Sequence, residues 1–388
     1  MHQSGVKASV IIPTYNSREP LARALLALRS QTMPADQFEV IVVDDGSTDG
    51  TWEELEHLAE NWATLKIRRQ ANSGTPSTGR NVGIRAAHGR FLFFHDADDW
   101  MPPDALAGLV ETAETQHADV VVGRVRNVGG GRQKSPLKPS ADADLLTDGV
   151  WLSLSAQKLF RQSLLDRTAL TFCEDMVQGE DQVFTATALL AADQICTLTD
   201  RDYYVRERQR TDADAPQRLS RLPQTLAAKM LTCTRLTAAI EQGVPWRAQS
   251  PYFDRVLLRT LAPALAEPFM RAEPDERTAA LTELQATVLP HLSERHLNKA
   301  TEHRRLRLRI AAVGTADDLV QLNLWIRAGG RLDTDSFDAE GGPALPARLR
   351  QVLARPLPRR RLSMRAIRQH RAAQYLLRLR RLLPLSGV

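Results

Sequence analysis

Short apolar runs that stop at clusters of polar residues recur along the first half of the chain. Most are rich in β-branched or aromatic residues, and they occupy residues 8–13, 38–43, 64–69, 91–95 and 119–123. Between them, apolar side chains recur at helical spacing in residues 19–31, 50–61, 80–88 and 103–117. Strands that alternate with helices predict an α/β fold with a mostly parallel, doubly wound sheet.

Beyond the fifth run the pattern changes twice. Residues 127–149 have no periodicity and predict a loop. A helix at residues 179–192 and strands at 194–199 and 202–208 then continue the α/β pattern. Residues 211–223 are polar and contain proline, which is typical of a boundary between domains.

We therefore predict three regions. An α/β domain spans residues 1–215, a mainly helical domain spans 216–340, and an arginine-rich tail spans 341–388. The helical domain is expected to pack on the α/β domain or to form homo-oligomers. Leucine spacing of three and four predicts that its core includes Leu226, Met230, Cys233, Leu236, Leu319, Leu322 and Ile326.

Composition places the chain among ordinary soluble proteins. Of its 388 residues, 43% are hydrophobic and 25% are charged. No apolar stretch reaches the 18 or so residues of a transmembrane helix, and the first strand begins before any signal-peptide core. The three cysteines are scattered, which favours free thiols in a reducing compartment. We expect a cytoplasmic protein that could also lie at the inner face of the cell membrane.

Positive charge is concentrated at the end of the sequence. Residues 341–388 contain 12 arginines and no lysine, aspartate or glutamate, so the net charge of +5 leaves −7 for the rest of the chain. Residues 362–383 are imperfectly amphipathic, because Arg365 and Arg380 interrupt the leucine-bearing side. This tail predicts contact with an anionic membrane or a polyanionic acceptor, or else a solvated extension. No motif supports binding of nucleic acid.

Three carboxylates follow the fourth apolar run. Asp96, Asp98 and Asp99 stand where ligands bind in open α/β sheets, outside the carboxyl ends of the strands. Crowded carboxylates suit Mg²⁺ or Mn²⁺, which bind proteins through one or two carboxylates together with phosphate oxygens. Taken alone, the cluster is equally consistent with an acidic turn in which Asp99 caps the next helix.

Four sequence blocks, in a fixed order, carry a resemblance to a known family. They are Val10-Ile-Ile-Pro-Thr-Tyr-Asn16, Val42-Val-Asp-Asp-Gly-Ser-Thr-Asp49, the pair Gly79-to-Gly89 and Phe94-to-Asp99, and Gly179-Glu-Asp-Gln-Val-Phe184. Over about residues 6–208 the chain resembles the family 2 glycosyltransferases of the GT-A fold. The blocks Lys158-Leu-Phe-Arg161 and Tyr203-to-Arg208 further resemble bacterial wall teichoic acid and capsule glycosyltransferases.

The resemblance implies an inverting, metal-dependent transfer of a sugar from a nucleotide-sugar donor. The expected donor is UDP-N-acetylglucosamine or another UDP-hexose. The acceptor would be a hydroxyl of a cell-envelope glycan, a polyol phosphate or a lipid-linked precursor. Alternatives are a dTDP- or GDP-sugar transferase and a non-catalytic scaffold of the same fold.

The same resemblance assigns residues to the nucleotide-sugar. Asp45 would accept the uracil N3–H, with Asp44 in support, since a carboxylate can accept that proton. Arg80 and Asn72 would contact the nucleotide and its diphosphate. The remaining candidates, for the base, the ribose, the diphosphate or the acceptor, are Pro13, Thr14, Tyr15, Arg124, Glu180, Arg206 and Arg208.

Metal binding and proton transfer fall to three aspartates under this resemblance. Asp96-Ala97-Asp98 matches the D-x-D motif, in which Asp98 would hold Mn²⁺ or Mg²⁺ and Asp96 would contact the ribose or the metal through water. Asp99, the next residue, is instead expected to cap the following helix. Asp181 would be the general base that takes the proton of the acceptor hydroxyl. Sequence alone favours a simpler role, in which Glu180 and Asp181 complement the dipole of the helix that they begin.

Overall fold

The computed structural model describes residues 5–129, 135–207, 223–330 and 344–358. The chain forms two compact units that divide between Pro223 and Gln224. The predicted boundary at residues 215 and 216 lies outside the described residues, as do Arg208 and the predicted amphipathic stretch 362–383.

A seven-stranded sheet forms the centre of the first unit. Its strands are β1 (Ala8–Thr14), β2 (Phe38–Asp44), β3 (Leu65–Arg69), β4 (Phe91–Phe94), β5 (Val120–Gly123), β7 (Leu159–Arg161) and β8 (Ile195–Leu198). Two more strands, β6 (Val125–Val128) and β9 (Tyr204–Glu207), form a separate parallel pair. The strand order is β3-β2-β1-β4-β7-β5-β8, and only β7 runs antiparallel to its neighbours. The predicted α/β fold with a mostly parallel sheet is confirmed.

Helices cover this sheet. They are α1 (Arg18–Arg29), α2 (Thr51–Glu60), α3 (Pro76–Ala86), α4 (Ala105–Thr115), α5 (Gln162–Thr168) and α6 (Glu180–Ala191). Short 3₁₀ turns lie at Ala35–Gln37 and Val150–Leu152. Strands β1, β2 and β4 are buried on both faces, which explains why their sequences are continuous apolar runs rather than alternating ones.

Two helix starts differ from the sequence prediction. Helix α3 begins at Pro76, four residues before the predicted start, because Thr75 caps it by accepting a hydrogen bond from the Ser77 amide and proline suits the first turn. Asp99 was expected to cap the following helix, and this prediction was wrong. Helix α4 begins only at Ala105, and the Asp99 carboxylate instead accepts the backbone N–H of Glu207 at 3.1 Å.

The sheet topology brings several loops to one edge. Strands β2, β1 and β4 are parallel neighbours, so their carboxyl ends, and the polar residues that follow them, lie side by side. Strand β7 is antiparallel to β4, so the residues that precede β7 lie at this same edge. An antiparallel bridge between Trp100 and Val205 ties β9 to the loop after β4.

The second unit is helical. Its elements are α7 (Leu226–Gly243), α8 (Ser250–Asp254), α9 (Ala262–Ala264), α10 (Glu267–Arg271), α11 (Pro274–Thr287), α12 (Glu294–Lys299), α13 (Glu302–Val313), α14 (Ala316–Arg327) and α15 (Ala347–Leu353). A π-helical segment, Arg255–Leu261, joins α8 to α9, and 3₁₀ turns lie at Trp246–Ala248 and Leu289–His291. All the predicted core residues are buried except Ile326, which is partly exposed. Among the described helices, none is long and apolar enough to cross a membrane.

Candidate active site

Two adjacent aspartates at the end of β2 have different environments. Asp44 is fully buried, accepts the Ser47 amide and pairs with Arg69 at 3.3 Å, so it holds the turn together. Asp45 is 8% exposed, and its carboxylate accepts hydrogen bonds from Gln70 Nε2 at 2.6 Å and from the Ser73 amide at 3.0 Å. Of the two, Asp45 is therefore the one placed between this strand end and the 70–75 loop.

The other predicted nucleotide residues border this position. Pro13 and Thr14 end β1, and the Thr14 carbonyl accepts the Asp45 amide at 2.8 Å. Tyr15 follows them with 47% of its surface exposed, which leaves its ring open to stack on a planar group. Asn72 is exposed, and its side-chain oxygen accepts the Gly74 amide at 2.8 Å.

Arg80 links the two acidic parts of the site. Its guanidinium donates to Glu180 Oε1 at 2.9 Å and to Asp96 Oδ1 at 3.1 Å, above the ring of Phe172. The side chain is 7% exposed. Burial alone would lower the pKa of Arg80, but the charges of Asp96, Glu180 and Asp181 outweigh it and raise that pKa. Arg80 is therefore a buried, permanently charged residue and not the first residue of an exposed helix.

Four groups of Asp96 are held by other residues. Its second carboxylate oxygen accepts Gln157 Nε2 at 2.7 Å, and its amide donates to the Tyr204 hydroxyl at 3.0 Å. Its carbonyl is 2.7 Å from His95 Nδ1, which must carry the proton because a carbonyl can only accept. Burial lowers the pKa of His95 to about 4, so the ring is neutral at physiological pH. These four contacts hold Asp96 in place at the end of β4.

The acidic loop after β4 contains a carboxyl group with a strongly raised pKa. Burial, and then the charges of Asp96 and Asp98, raise the pKa of Asp99 to about 8. Asp98 is partly exposed. Within the described residues, no group of three His, Cys, Asp or Glu side chains is arranged to hold a metal ion. The residues present fit a divalent cation that one or two carboxylates bind together with phosphate oxygens of a substrate.

The predicted base stands in the first turn of α6. Glu180 is buried, and burial together with the charge of Asp181 raises its pKa to about 7, although Arg80 opposes the shift. Burial also raises the pKa of Asp181, while the charges of Arg80 and then Arg206 act against that rise. Asp181 is partly exposed, so it can reach a substrate. An ionised carboxylate can accept the proton of a hydroxyl, and the charges of the two arginines favour the ionised form.

The predicted arginines have separate places. Arg206 on β9 donates to the side-chain oxygen of Gln157 and so joins the network around Asp96. Arg124 instead pairs with Asp202 at 2.8 Å and donates to the Thr199 carbonyl. Arg124 thus contacts residues 199–202, and within the described part of the chain it is not brought together with the acidic cluster.

Two residues of this network were not predicted from the sequence. Gln157 precedes an antiparallel strand, and the mostly parallel pattern gave no reason to place that residue at the ligand edge. Tyr204 reads as one of the apolar residues of a late strand, yet its hydroxyl serves both Asp96 and Asp99. Gln157 adjoins the block Lys158-to-Arg161 and Tyr204 lies inside the block Tyr203-to-Arg208, and only these two blocks indicated that the stretches are functional.

Comparison with known proteins agrees with this geometry. The family model Glycosyl transferase family 2 matches residues 9–174. The poly(ribitol-phosphate) beta-glucosyltransferase of Bacillus spizizenii is 36% identical over 202 residues, which cover 51% of this chain and 32% of that protein. TarP, a poly(ribitol-phosphate) beta-N-acetylglucosaminyltransferase of Staphylococcus aureus, is 30% identical over 204 residues, covering 51% and 62%. The chain thus spans only part of the length of either relative.

A solved structure extends the likeness to most of the chain. Residues 1–349 of S. aureus TarS, in complex with UDP-GlcNAc, superpose with a TM-score of 0.73 at 26% identity, covering 88% of this chain and 99% of that one. The same part of TarS in complex with UDP gives a TM-score of 0.72. The expected resemblance is confirmed: residues 9–174 match glycosyl transferase family 2, and the chain has a GT-A-like fold followed by a helical region.

Proposed function

We propose that this protein is an inverting glycosyltransferase that moves a hexose from a UDP-sugar to a hydroxyl of a polyol-phosphate polymer. The observation that carries the proposal is the buried arginine Arg80, which binds both Asp96 and Glu180, the neighbour of Asp181. Because one guanidinium contacts both, Asp96 and the turn that carries Asp181 lie close together, which supports a shared role in one reaction.

The donor class is supported by the nucleotide edge and by the relatives. Asp45 would accept the uracil N3–H, and the exposed Tyr15 ring would lie against the base. Pro13, Thr14 and Asn72 would complete the contacts to uracil and ribose. Because TarS has been solved with UDP-GlcNAc and other relatives transfer glucose or N-acetylglucosamine, we infer that one of these two sugars is transferred.

Asp98, with Asp96 beside it, would hold Mn²⁺ or Mg²⁺. When bound, such an ion stabilises the negative charge that builds on the departing diphosphate. Both carboxylate oxygens of Asp96 already accept hydrogen bonds from Arg80 and Gln157, so we assign the direct metal contact to Asp98 and a ribose or water-mediated contact to Asp96.

Asp181 would be the general base. As the acceptor oxygen forms a bond to the anomeric carbon, the bond from that carbon to the diphosphate oxygen breaks, and the hydroxyl proton passes to the Asp181 carboxylate. Attack from the face opposite the leaving group inverts the configuration. Glu180 would act on the donor through Arg80, and Arg206 would stabilise the leaving diphosphate.

The acceptor is inferred from the relatives, which act on poly(ribitol-phosphate). A dTDP- or GDP-sugar remains an alternative donor, and a panel of UDP, dTDP and GDP in titration calorimetry with Mn²⁺ separates the three. A non-catalytic scaffold is disfavoured, because the chain keeps both Asp98 and Asp181 and holds their neighbours in a connected network.

Asp181→Asn tests the proposal. The variant keeps the size of the side chain but cannot take a proton, so we expect turnover to fall by about 10²-fold or more, the range typical of general-base loss. The dissociation constant for UDP, measured by calorimetry with Mn²⁺, should stay within about twofold of that of the unmodified protein.

Asp193→Asn is the control, since Asp193 is an exposed aspartate that pairs with Arg167. It should leave both quantities unchanged. Equal loss of UDP binding and turnover in Asp181→Asn would remove Asp181 from the base role. Absence of UDP binding by the unmodified protein would overturn the donor assignment.

A further inference from the structure

A single buried amide stands between two oppositely charged groups of the site. Gln157 Nε2 donates to Asp96 Oδ2 at 2.7 Å, and Gln157 Oε1 accepts a hydrogen bond from the Arg206 guanidinium. The side chain is 5% exposed. Both ends of the amide are therefore used, and its orientation is fixed by the partners: the nitrogen must face the carboxylate and the oxygen must face the guanidinium.

The amide separates charges that would otherwise attract each other. A guanidinium and a carboxylate in a half-buried crevice favour a direct, bidentate ion pair. Arg206 has two such carboxylates nearby, Asp96 across the amide and Asp181, whose pKa it helps to hold down. A neutral spacer that hydrogen-bonds both Asp96 and Arg206 keeps these two groups from pairing directly with each other.

The backbone around Gln157 is itself fixed. The neighbouring Lys158 is 1% exposed, and its ammonium group donates to the Ser155 carbonyl at 2.6 Å. The Lys158 amide donates to the Ala156 carbonyl, and β7 begins at the next residue. Because β7 pairs antiparallel with β4, this turn stands beside the loop that carries Asp96. The position of the amide is thus set by the sheet and by the turn that precedes β7.

We propose that Gln157 is a positioning residue for the transfer reaction. Its amide holds the Asp96 carboxylate and the Arg206 guanidinium apart, each oriented for its own contact with the nucleotide-sugar. This role rests on the proposed function, because it matters only if Asp96 and Arg206 serve a nucleotide-sugar donor. No part of the amide needs to contact the donor.

Two substitutions distinguish the hydrogen bond between Gln157 and Asp96 from the one between Gln157 and Arg206. Gln157→Met keeps the volume and removes both hydrogen bonds, so Arg206 is free to pair directly with Asp96 or Asp181. Gln157→Glu keeps an acceptor for Arg206 but places a second carboxylate against Asp96, where like charges repel. Misplacement of about 1 Å near a reacting centre can cost about 10²-fold in rate. We expect kcat/KM for the donor to fall at least about 10-fold in Gln157→Met and further in Gln157→Glu.

The measurements are steady-state kinetics with separately varied donor and acceptor, and calorimetry with UDP and Mn²⁺. KM for the acceptor should stay near that of the unmodified protein, because the amide serves the donor. Gln249→Met is the matched control: Gln249 is a buried glutamine of the helical unit whose amide donates to the Val244 carbonyl. It reports the effect of losing a buried amide elsewhere, through the melting temperature.

The outcomes are distinct. A donor kcat/KM in Gln157→Met equal to that of the unmodified protein would overturn the positioning role. A lower melting temperature in Gln157→Met, together with donor kinetics that match those of Gln249→Met, would also overturn the positioning role, because a merely structural amide behaves in this way. Failure of the unmodified protein to bind UDP would instead overturn the proposed function, and the inference that rests on it would fall as well.

Discussion

At the scale of single residues, Arg80 makes a crowded acidic site compatible with a folded protein. Three carboxylates, Asp96, Glu180 and Asp181, lie close enough to raise its pKa, and two of them contact its guanidinium. Removing one partner of a buried ion pair is costly because the other charge stays buried without compensation. Even with Arg80 present, Glu180 is only partly compensated, as its pKa of about 7 indicates.

The raised pKa of Glu180 predicts a pH dependence of stability. The folded protein holds a proton on Glu180 up to about pH 7, whereas the unfolded chain releases it near the usual value of 4.5. Its contribution to stability is therefore complete below pH 4.5 and is lost as the pH rises through 7. In Glu180→Gln the side chain stays neutral, so we expect the melting temperature to fall less between pH 5 and 8 than in the unmodified protein.

Two other carboxylates also make the unmodified protein less stable as the pH rises, since the pKa values of Asp181 and Asp99 are also raised. Part of the slope should therefore survive in Glu180→Gln. Glu54→Gln, which alters an exposed carboxylate paired with Arg18, serves as the control and should follow the unmodified protein. Identical slopes in all three proteins, measured by differential scanning calorimetry, would contradict the prediction.

The residues at strand ends could be predicted from the sequence, but their hydrogen-bond partners could not. The polar residues at strand ends, such as Asp45 and Asp96, follow from the rule that ligands bind at the carboxyl ends of parallel strands. The partners of those residues did not follow from it. Gln157 and Asp96 are 61 positions apart in the sequence, and Glu207 and Asp99 are 108 positions apart, so no local sequence pattern could pair them. Asp99 was misassigned for this reason.

At the scale of elements, helix α3 carries Arg80 and packs closely against β1. Two of its glycines, one turn apart, face the strand: Gly79 lies against Pro13 and Gly83 lies against Ile11. Glycine in a helix interior is usually unfavourable by about 1 kcal/mol relative to alanine. At these two positions glycine permits the close approach of α3 to β1, which sets how deeply the Arg80 side chain reaches into the site.

Gly83→Ala tests this packing. An added Cβ would stand 2.3 Å from Ile11 Cγ2, far inside contact distance. Overpacking of this kind costs about 1–3 kcal/mol, more than the gain in helix propensity. We expect a lower melting temperature. In an Ile11→Ala background, where the obstructing methyl group is absent, the same substitution should become neutral or stabilising. Destabilisation of equal size in both backgrounds would show that the contact with Ile11 is not the cause.

Element order was predictable from the sequence to a large extent, and exceptions have physical causes. Buried parallel strands give continuous apolar runs, so β1, β2, β4 and β5 were located within a residue or two. Strand β7 has only three residues and runs antiparallel, so it left no run of its own. It is also the element that brings Gln157 to the ligand edge, which is why the sequence did not predict that residue.

At the scale of the whole molecule, charge is distributed unevenly. Residues 359–388 contain nine arginines and no lysine, aspartate or glutamate, so the chain up to Pro358 carries −4 while the full chain carries +5. The proposed acceptor is a polyanion, and the surface of a membrane that contains anionic lipids is also negatively charged. A body with a negative charge would be repelled by either one, and we expect the arginines to offset that repulsion.

A chain that ends at Pro358 tests the role of this charge, because it keeps α15 and its ion pair between Arg348 and Asp318. Each arginine near an anionic surface contributes about 1 kcal/mol at physiological ionic strength. We expect the full chain to sediment with phosphatidylglycerol vesicles at low salt and the shortened chain to remain in solution. Salt at about 0.5 M should release the full chain, because screening shortens the reach of the charges.

Vesicles of phosphatidylcholine alone are the control, and added polyol phosphate should compete if the arginines serve the acceptor. Equal binding by both chains would exclude the arginines as the source of affinity. Full-chain binding to polyol phosphate but not to vesicles would assign the tail to the acceptor, and the shortened chain should then keep its KM for the donor while its KM for the acceptor rises.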